Sequence, residues 1–393
     1  VFRHDTLIRE ILDERKRRSY TFSGFPIVDG NGRLCGILTS RDVKFLKDSK
    51  ISVSDVMTRE LVTAPLGTSL QKAYETMISR KVGKLPIVDG DGRLLGLYSF
   101  HDVKSLIERI EPQINRDEDH RLRVAAAISP YDEERIAALT DAGVDALVVD
   151  TAHGHSKGVI ETVRLLKAQH PTVDVVAGNI ADGVAAKALM DVGVDAVKVG
   201  IGPGSICTTR VVAGVGIPQL TAIYRVAAVV GNEIPIIADG GIKQSGDVPK
   251  ALAVGGSAVM MGSALAGTQE SPGEKILHQG RRYVVYRGMG SVEAMQANEG
   301  SRRRYSHPDT SSTDDLVPQG IEGLVAFRGS VNNVLTQFVG GLRFSLGYCG
   351  ARSLQELKDK AQLLRVSGAG LREAHPHDIK IIKDAPNYRS GNS

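Results

Sequence analysis

Ala196-Val197-Lys198-Val199-Gly200-Ile201-Gly202-Pro203-Gly204-Ser205-Ile206-Cys207-Thr208-Thr209-Arg210 is where this chain passes from regular structure to chemistry. The first four residues form a short, β-branched run that reads as a buried strand. Gly200, Gly202 and Gly204, with Pro203 among them, then rule out a regular element, so the chain must turn sharply. Small residues let backbone N–H groups approach a ligand closely, and such nests suit anions. Cys207 lies at the far side, and a thiolate is a strong nucleophile at neutral pH. The loop alone supports two readings. One is covalent catalysis beside a phosphate; the other is an inert buried cysteine, the commoner state of a lone thiol.

Around this loop the sequence alternates between two periods. Apolar runs predict strands over 122–128, 146–150, 173–178, 196–200, 234–239 and 258–261. Amphipathic stretches predict helices over 131–142, 157–170, 181–192, 219–230 and 245–254. Near-continuous apolar strands alternating with helices argue for a parallel sheet in an α/β fold. Polar or glycine residues follow nearly every strand: Asp150–Gly154, Gly178-Asn179, Gly200–Arg210, Asp239-Gly240-Gly241 and Gly262-Ser263. Chemistry at the ends of all strands fits a (β/α)8 TIM barrel better than a doubly wound sheet, which concentrates it at one switch point. Six strands are two short of closure, so the first two are expected upstream of Val1.

The chain has 393 residues, 42% hydrophobic and 24% charged, with a net charge of +4. That balance fits a globular protein of two or three domains and gives no reason to expect a specific nucleic-acid partner. Cys35, Cys207 and Cys349 lie far apart and suit neither a disulfide framework nor a zinc site. No apolar run reaches the ~18 residues that span a bilayer, so no membrane partner is expected. No secretory signal opens the stretch and Gly391-Asn392-Ser393 is no peroxisomal address, so a cytoplasmic setting is expected.

The first 110 residues repeat. Pro26-Ile27-Val28-Asp29-Gly30-Asn31-Gly32-Arg33-Leu34 recurs as Pro86-Ile87-Val88-Asp89-Gly90-Asp91-Gly92-Arg93-Leu94, and Asp42-Val43-Lys44 recurs as Asp102-Val103-Lys104. Each copy reads as strand, Asp-Gly hairpin turn, strand and helix, with Thr39 and Ser99 as N-caps. Further helices are predicted over 7–18 and 69–80. This tandem pattern resembles a cystathionine-β-synthase (CBS) pair, a module that often binds purine nucleotides. The resemblance would place Asp42 and Asp102 on ribose hydroxyls, although an Asp in a first helical turn also serves the helix dipole. The expected domains are a CBS pair over 1–112 (repeats about 1–50 and 51–112), a linker over 111–120, and the barrel over 113–393.

The ordered motifs Asp150–Ser156, Gly178-Asn179, Val199–Arg210, Ala238–Ile242, Met260–Ser263, Tyr286–Ser291 and Val317–Gly320 resemble the inosine-5′-monophosphate (IMP) dehydrogenase family, CBS insertion included. The resemblance implies oxidation of IMP to XMP with NAD, Cys207 adding to C2 of the purine. It implies phosphate contacts from Ser205, Gly241, Gly262, Ser263 and Tyr286, and ribose contacts from Asp239. Gly288, Met289, Gly290 and Gln319 would face the base. Asp150, Asn179, Gly200 and Thr209 would line the dinucleotide side. Thr209 would also serve catalysis, beside a mobile flap (about 286–330) whose Arg304-Tyr305 pair serves hydrolysis.

The polar segment 300–315 reads as a long strand-free lid. The family's K+ would sit on carbonyls of Gly202, Gly204 and Cys207, completed by Glu373, Ala374 and His375 of a neighbouring subunit. That implies a homotetramer, or an octamer through CBS pairs. The rival reading is GMP reductase, which shares the Cys loop, uses NADPH and carries Glu where Gln319 stands here.

Overall fold

The computed structural model describes residues 1–18, 20, 24–44, 46, 48–107, 115–117, 121–305, 315–382 and 385–388. Much of the expected linker and of the lid falls outside these residues. The chain divides into two compact units, Val1–Leu122 and Arg123–Ser393.

The first unit contains β1 (Phe2–Arg3), α1 (Ile8–Arg17), β2 (Phe25–Val28), β3 (Leu34–Leu38) and α2 (Ser40–Val43). A second copy follows as β4 (Ala64–Pro65), α3 (Leu70–Arg80), β5 (Lys84–Val88), β6 (Leu94–Ser99) and α4 (Phe100–Ile107). Each copy is a three-stranded sheet, β1-β2-β3 and β4-β5-β6, with its own core. Ile8, Ile11, Ile27 and Leu38 fill the first, and Ala73, Met77, Leu85 and Val103 the second.

The hairpin turns are longer than an Asp-Gly pair. Asp29 Oδ1 accepts from the N–H of Asn31 (2.8 Å) and Arg33 (2.9 Å), and Asp89 Oδ1 does the same for Asp91 and Arg93. Gly32 (φ 78°) and Gly92 (φ 77°) carry the left-handed conformation that the expectation gave to the earlier glycine. The two turns also join the copies, through Leu34 N–H to Gly92 O (3.0 Å) and Leu94 N–H to Gly32 O (3.2 Å).

In the second unit, β7 (Ala125–Ile128), α5 (Glu133–Asp141), β8 (Ala146–Asp150), α6 (Lys157–Gln169), β9 (Asp174–Ile180), α7 (Gly183–Met190) and β10 (Ala196–Val199) follow in turn. Then come α8 (Thr209–Val212), α9 (Gln219–Val230), β11 (Ile236–Asp239), α10 (Asp247–Ala253), β12 (Ala258–Met260) and α11 (Ser263–Ala266). The six strands form one parallel sheet in sequence order, β7 to β12, as expected for a TIM-barrel-type α/β fold. Strand β10 is buried along its whole length. The end strands are not: Ala125, Ala127, Ala258 and Met260 are exposed. Helix faces carrying Val163, Leu166, Ile223 and Val226 cover the sheet and make the core.

Further elements went unpredicted. The antiparallel sheet β13 (Lys275–His278), β14 (Arg281–Arg287) and β15 (Glu322–Ala326) is joined at its first hairpin by Gln279 and Gly280, both at positive φ. The lid region begins with two short helices, α12 (Val292–Ala297) and α13 (Glu299–Arg304), rather than irregular chain. Helix α14 (Val331–Tyr348) packs Val334 and Phe338 on the barrel core, and α15 (Leu354–Lys360) and α16 (Gly368–Glu373) follow.

Candidate active site

Strand β10 ends at Val199, and Gly200 turns the chain out of the sheet. A Cβ on Gly200 would lie 2.1 Å from the carbonyl oxygen of Asp239, and its φ of 153° disfavours any side chain. The neighbouring strand end is therefore held directly against the loop. Gln219 on α9 reinforces the contact, its Nε2 donating to Val199 O (2.8 Å) and Asp239 O (3.0 Å). Gly200→Ala should cost about 3 kcal/mol or more, read as a fall in the urea midpoint at unchanged slope, because backbone rather than a flexible side chain must move.

The Cys loop is stitched to two others by backbone bonds. Thr208 N–H donates to Gln319 O, Ile321 N–H to Ile206 O, Gln319 N–H to Gly290 O and Gly288 N–H to Ile321 O, each at 3.0 Å. Cys207, Gly288, Gly290 and Gln319 are thereby brought together. The Cys207 Sγ lies 3.2 Å from Thr209 Oγ1, and that hydroxyl donates to Gln319 Oε1 at 3.0 Å. Tyr305 stacks over Gly290, where a Cβ would come within 2.7 Å of its ring. The Tyr286 hydroxyl lies 2.6 Å from where a Cβ on Gly262 would stand, so that expected pair also meets. Gly240 and Gly241, at φ 87° and 79°, take the chain away from Asp239 against Pro203. Ser205 and Met289 are exposed, and Ser263 is half-buried at the start of α11.

A charged cluster fills the carboxyl ends of β8 to β11. Lys198, 3% exposed, places Nζ 2.6 Å from Asp239 Oδ2 and 2.9 Å from Asp150 Oδ1, and also donates to Asn179 Oδ1. Asn179 Nδ2 donates to Asp239 Oδ2 (2.9 Å) and Gly200 O (2.8 Å). Arg304, at the end of α13, pairs with Asp150 Oδ2. The motif reading passed over Lys198, although a charge inside a buried strand was signal enough, since lysine is almost never fully buried unpaired.

Burial pushes the Asp150 carboxyl up, but Lys198 and Arg304 outweigh it and hold the group below its ordinary value. Burial likewise pulls the Arg304 guanidinium down, and Asp150 with Tyr305 more than reverses it. Burial raises the Tyr305 phenol against the opposing pull of Arg304. The sign for Asp150 follows. Its pairs stabilise the fold fully above the unfolded carboxylate value of about 4, and that stability is lost as pH falls through the lower folded value. Asp150→Asn should flatten the fall in stability between about pH 5 and pH 3, measured by urea unfolding at each pH.

Other expected residues have their own local surroundings. Asp42 caps α2: Oδ2 accepts from Thr39 N–H (2.6 Å) and Oγ1 (2.7 Å), and Oδ1 accepts from Thr58 Oγ1 (3.1 Å). Asp102 is exposed in the first turn of α4. Gly204 O accepts from Cys207 N–H at 3.1 Å, and Gly202 lies at φ 80°. Glu373, Ala374 and His375 are exposed at the end of α16, with His375 Nδ1 2.9 Å from the Tyr388 hydroxyl. Among the described residues no helix is long and apolar enough to cross a membrane.

A TIM-barrel-type sheet with a cysteine loop and half-buried, ion-paired carboxylates at its strand ends defines an α/β-barrel enzyme. The IMP dehydrogenase / GMP reductase domain matches residues 32–377, and a CBS domain matches residues 1–46. Curated relatives named inosine-5′-monophosphate dehydrogenase include those of Aquifex aeolicus, 52% identical over 98% of this chain and 78% of its own, and Bacillus subtilis, 50% identical over 94% and 75%. A crystal structure of Trypanosoma brucei GMP reductase with guanosine 5′-monophosphate is similar at a TM-score of 0.81 and 36% identity, covering 96% of this chain and 78% of that one. The chain belongs to the IMP dehydrogenase / GMP reductase family.

Proposed function

We propose that the chain oxidises IMP to XMP with NAD as hydride acceptor, through a thioimidate on Cys207. The observation that carries this reading is the meeting of Cys207, Thr209 and Gln319 in one hydrogen-bonded chain. About 50% identity to relatives named IMP dehydrogenase supports the choice of substrate.

The Cys207 sulfur forms a bond to C2 of the purine. The C2–H bond then breaks, and its hydride reduces NAD to NADH. Water attacks C2, the C–S bond breaks, and XMP and the free thiol result, with one proton released overall. Ser205, Gly241, Gly262, Ser263 and Tyr286 hold the phosphate, for which an uncharged cradle of backbone N–H and hydroxyl groups suffices. Asp239 accepts from the ribose hydroxyls. Gly288, Met289, Gly290 and Gln319 face the base.

Asp150, Asn179, Gly200 and Thr209 line the dinucleotide side, where Arg304 is docked on Asp150. Neutralising an arginine at pH 7 would cost about 7 kcal/mol or more. Held charged by Asp150, Arg304 instead orients water and offsets negative charge in the attack, beside Tyr305.

K+ fits a loop of turning glycine backbone whose oxygens outnumber its charges, and Gly202, Gly204 and Cys207 would supply carbonyls. Glu373, Ala374 and His375 are exposed on this chain, as donation to a neighbouring subunit of a homotetramer requires. In the first unit, purine nucleotides at Asp102 and Asp42 would regulate the enzyme, the Asp42 carboxylate having first to exchange its cap bonds.

The second reading, NADPH-dependent conversion of GMP to IMP, is favoured by the likeness to the Trypanosoma reductase. Gln319, which cannot take a proton, opposes it. NADH formation from IMP and NAD, run beside NADPH consumption with GMP and with K+ present, separates the two. Activity with GMP alone would reverse the assignment.

A further inference from the structure

One side chain on α9 reaches two of the strand ends that hold the site. Helix α9 joins β10 to β11 and buries Ile223 and Val226 against the sheet, so its first residue, Gln219, is fixed between those strands. Its Nε2 donates to Val199 O and Asp239 O, using both N–H groups. Val199 is the last residue of β10 and leads into the Cys loop; Asp239 is the last residue of β11. The stem of Gln219 also lies against Gly241, where a Cβ would come within 3.5 Å of the Gln219 Cβ. The amide has one orientation, because turned over its Oε1 would face two carbonyl oxygens. As placed, Oε1 is buried and meets no donor among the described residues, which costs free energy. Methionine would fill the same space without that cost, so the two bonds, and not the filling of space, account for an amide here. Asp239 is held from its other side as well: Oδ2 accepts from Lys198 Nζ (2.6 Å) and Asn179 Nδ2 (2.9 Å), leaving Oδ1 for a ligand.

We propose that Gln219 is a positioning residue that ties the start of the Cys loop to the end of β11, and so sets the separation between the Cys207 sulfur and the Asp239 carboxylate. This rests on the functional reading given above, in which Asp239 holds the ribose of IMP and Cys207 attacks its base. A nucleotide anchored on one strand end and attacked from the next feels any slip between them as a misplaced reacting atom. A displacement of ~1 Å can cost about 10²-fold in rate. Gln219 itself takes no part in the bond changes.

Gln219→Met keeps the side-chain length and removes both donors. Its first-turnover burst of NADH should slow about tenfold or more and its KM for IMP should rise severalfold, while its KM for NAD stays within about twofold. In Asp239→Ala protein the same change should add less than about threefold to the loss, because the anchor that Gln219 positions is already gone. A glutamine serving only the fold predicts a lower urea midpoint with burst and KM for IMP unchanged, or losses that multiply in the double variant. Either result would overturn the proposal. Should Gln219→Met fail to fold, Gln219→Asn carries the test. Its amide is one methylene shorter and cannot reach both carbonyls, so the burst should again slow, and a burst at the unmutated rate would overturn the proposal. Iodoacetamide keeps this proposal apart from the functional reading. With no nucleotide present, Cys207 should be labelled about threefold or more faster in Gln219→Met, since its loop has lost a tie; an unchanged rate would count against the tie. No NADH from IMP in the unmutated chain would count against the functional reading, and the labelling rate would then decide the role of Gln219.

Discussion

Cys207→Ser is expected to lower NADH formation from IMP by ~10³-fold or more, with IMP affinity changed only a few-fold. A serine hydroxyl needs a base to become a nucleophile, and the group beside it here is the Thr209 hydroxyl, too weakly basic to take a proton and backed only by the Gln319 amide, which cannot take one either. Cysteine avoids the difficulty because sulfur is intrinsically a far better nucleophile than a hydroxyl oxygen. Iodoacetamide should label Cys207 quickly in the unmutated chain, and IMP should block it. Turnover by the serine variant at near-normal rate would remove Cys207 from the chemistry.

Arg304→Ala is expected to separate the two halves of the reaction. Hydride transfer needs Cys207 and the bound nucleotides, so the first-turnover burst of NADH should survive. Hydrolysis should slow by about 10²- to 10³-fold, the usual cost of losing a group that stabilises developing negative charge. Rapid mixing followed by steady-state rates measures both in one trace. Adding Gln319→Glu should restore part of the lost turnover, because a carboxylate 3.0 Å from Thr209 Oγ1 can take the proton that an amide cannot. Equal loss of burst and turnover in Arg304→Ala would place Arg304 in substrate binding instead.

Much of this architecture was legible because it depends on local pattern. The six parallel strands are apolar runs bounded by glycine and Asp, and the helices between them keep an apolar face, so periodicity located both within a few residues. Repetition exposed the first unit in the same way. The sheet formed by β13, β14 and β15 was not found, since Lys275–His278 is only four residues long and mostly exposed, and arginines stand at both ends of Arg281–Arg287. Helix α14 escaped because Gly340, Gly341 and Gly347 interrupt its pattern, and glycine is a poor helix former.

At the site, loop residues could be named from their order in the chain, but their partners could not. Nothing in sequence spacing says that Arg304 lies on Asp150, or that Thr209 bridges Cys207 to Gln319 across 110 residues. Asp42 shows the converse. Its place in a first helical turn suggested a ligand, whereas its oxygens are engaged by Thr39 and Thr58.

The most direct test of the central claim is the mass of the Cys207 peptide from Arg304→Ala protein quenched in acid during turnover. A purine nucleotide adduct on that peptide, present only when IMP and NAD are supplied together, is the predicted result. An unmodified peptide, an adduct on another residue, or an adduct formed only from GMP with NADPH would contradict it.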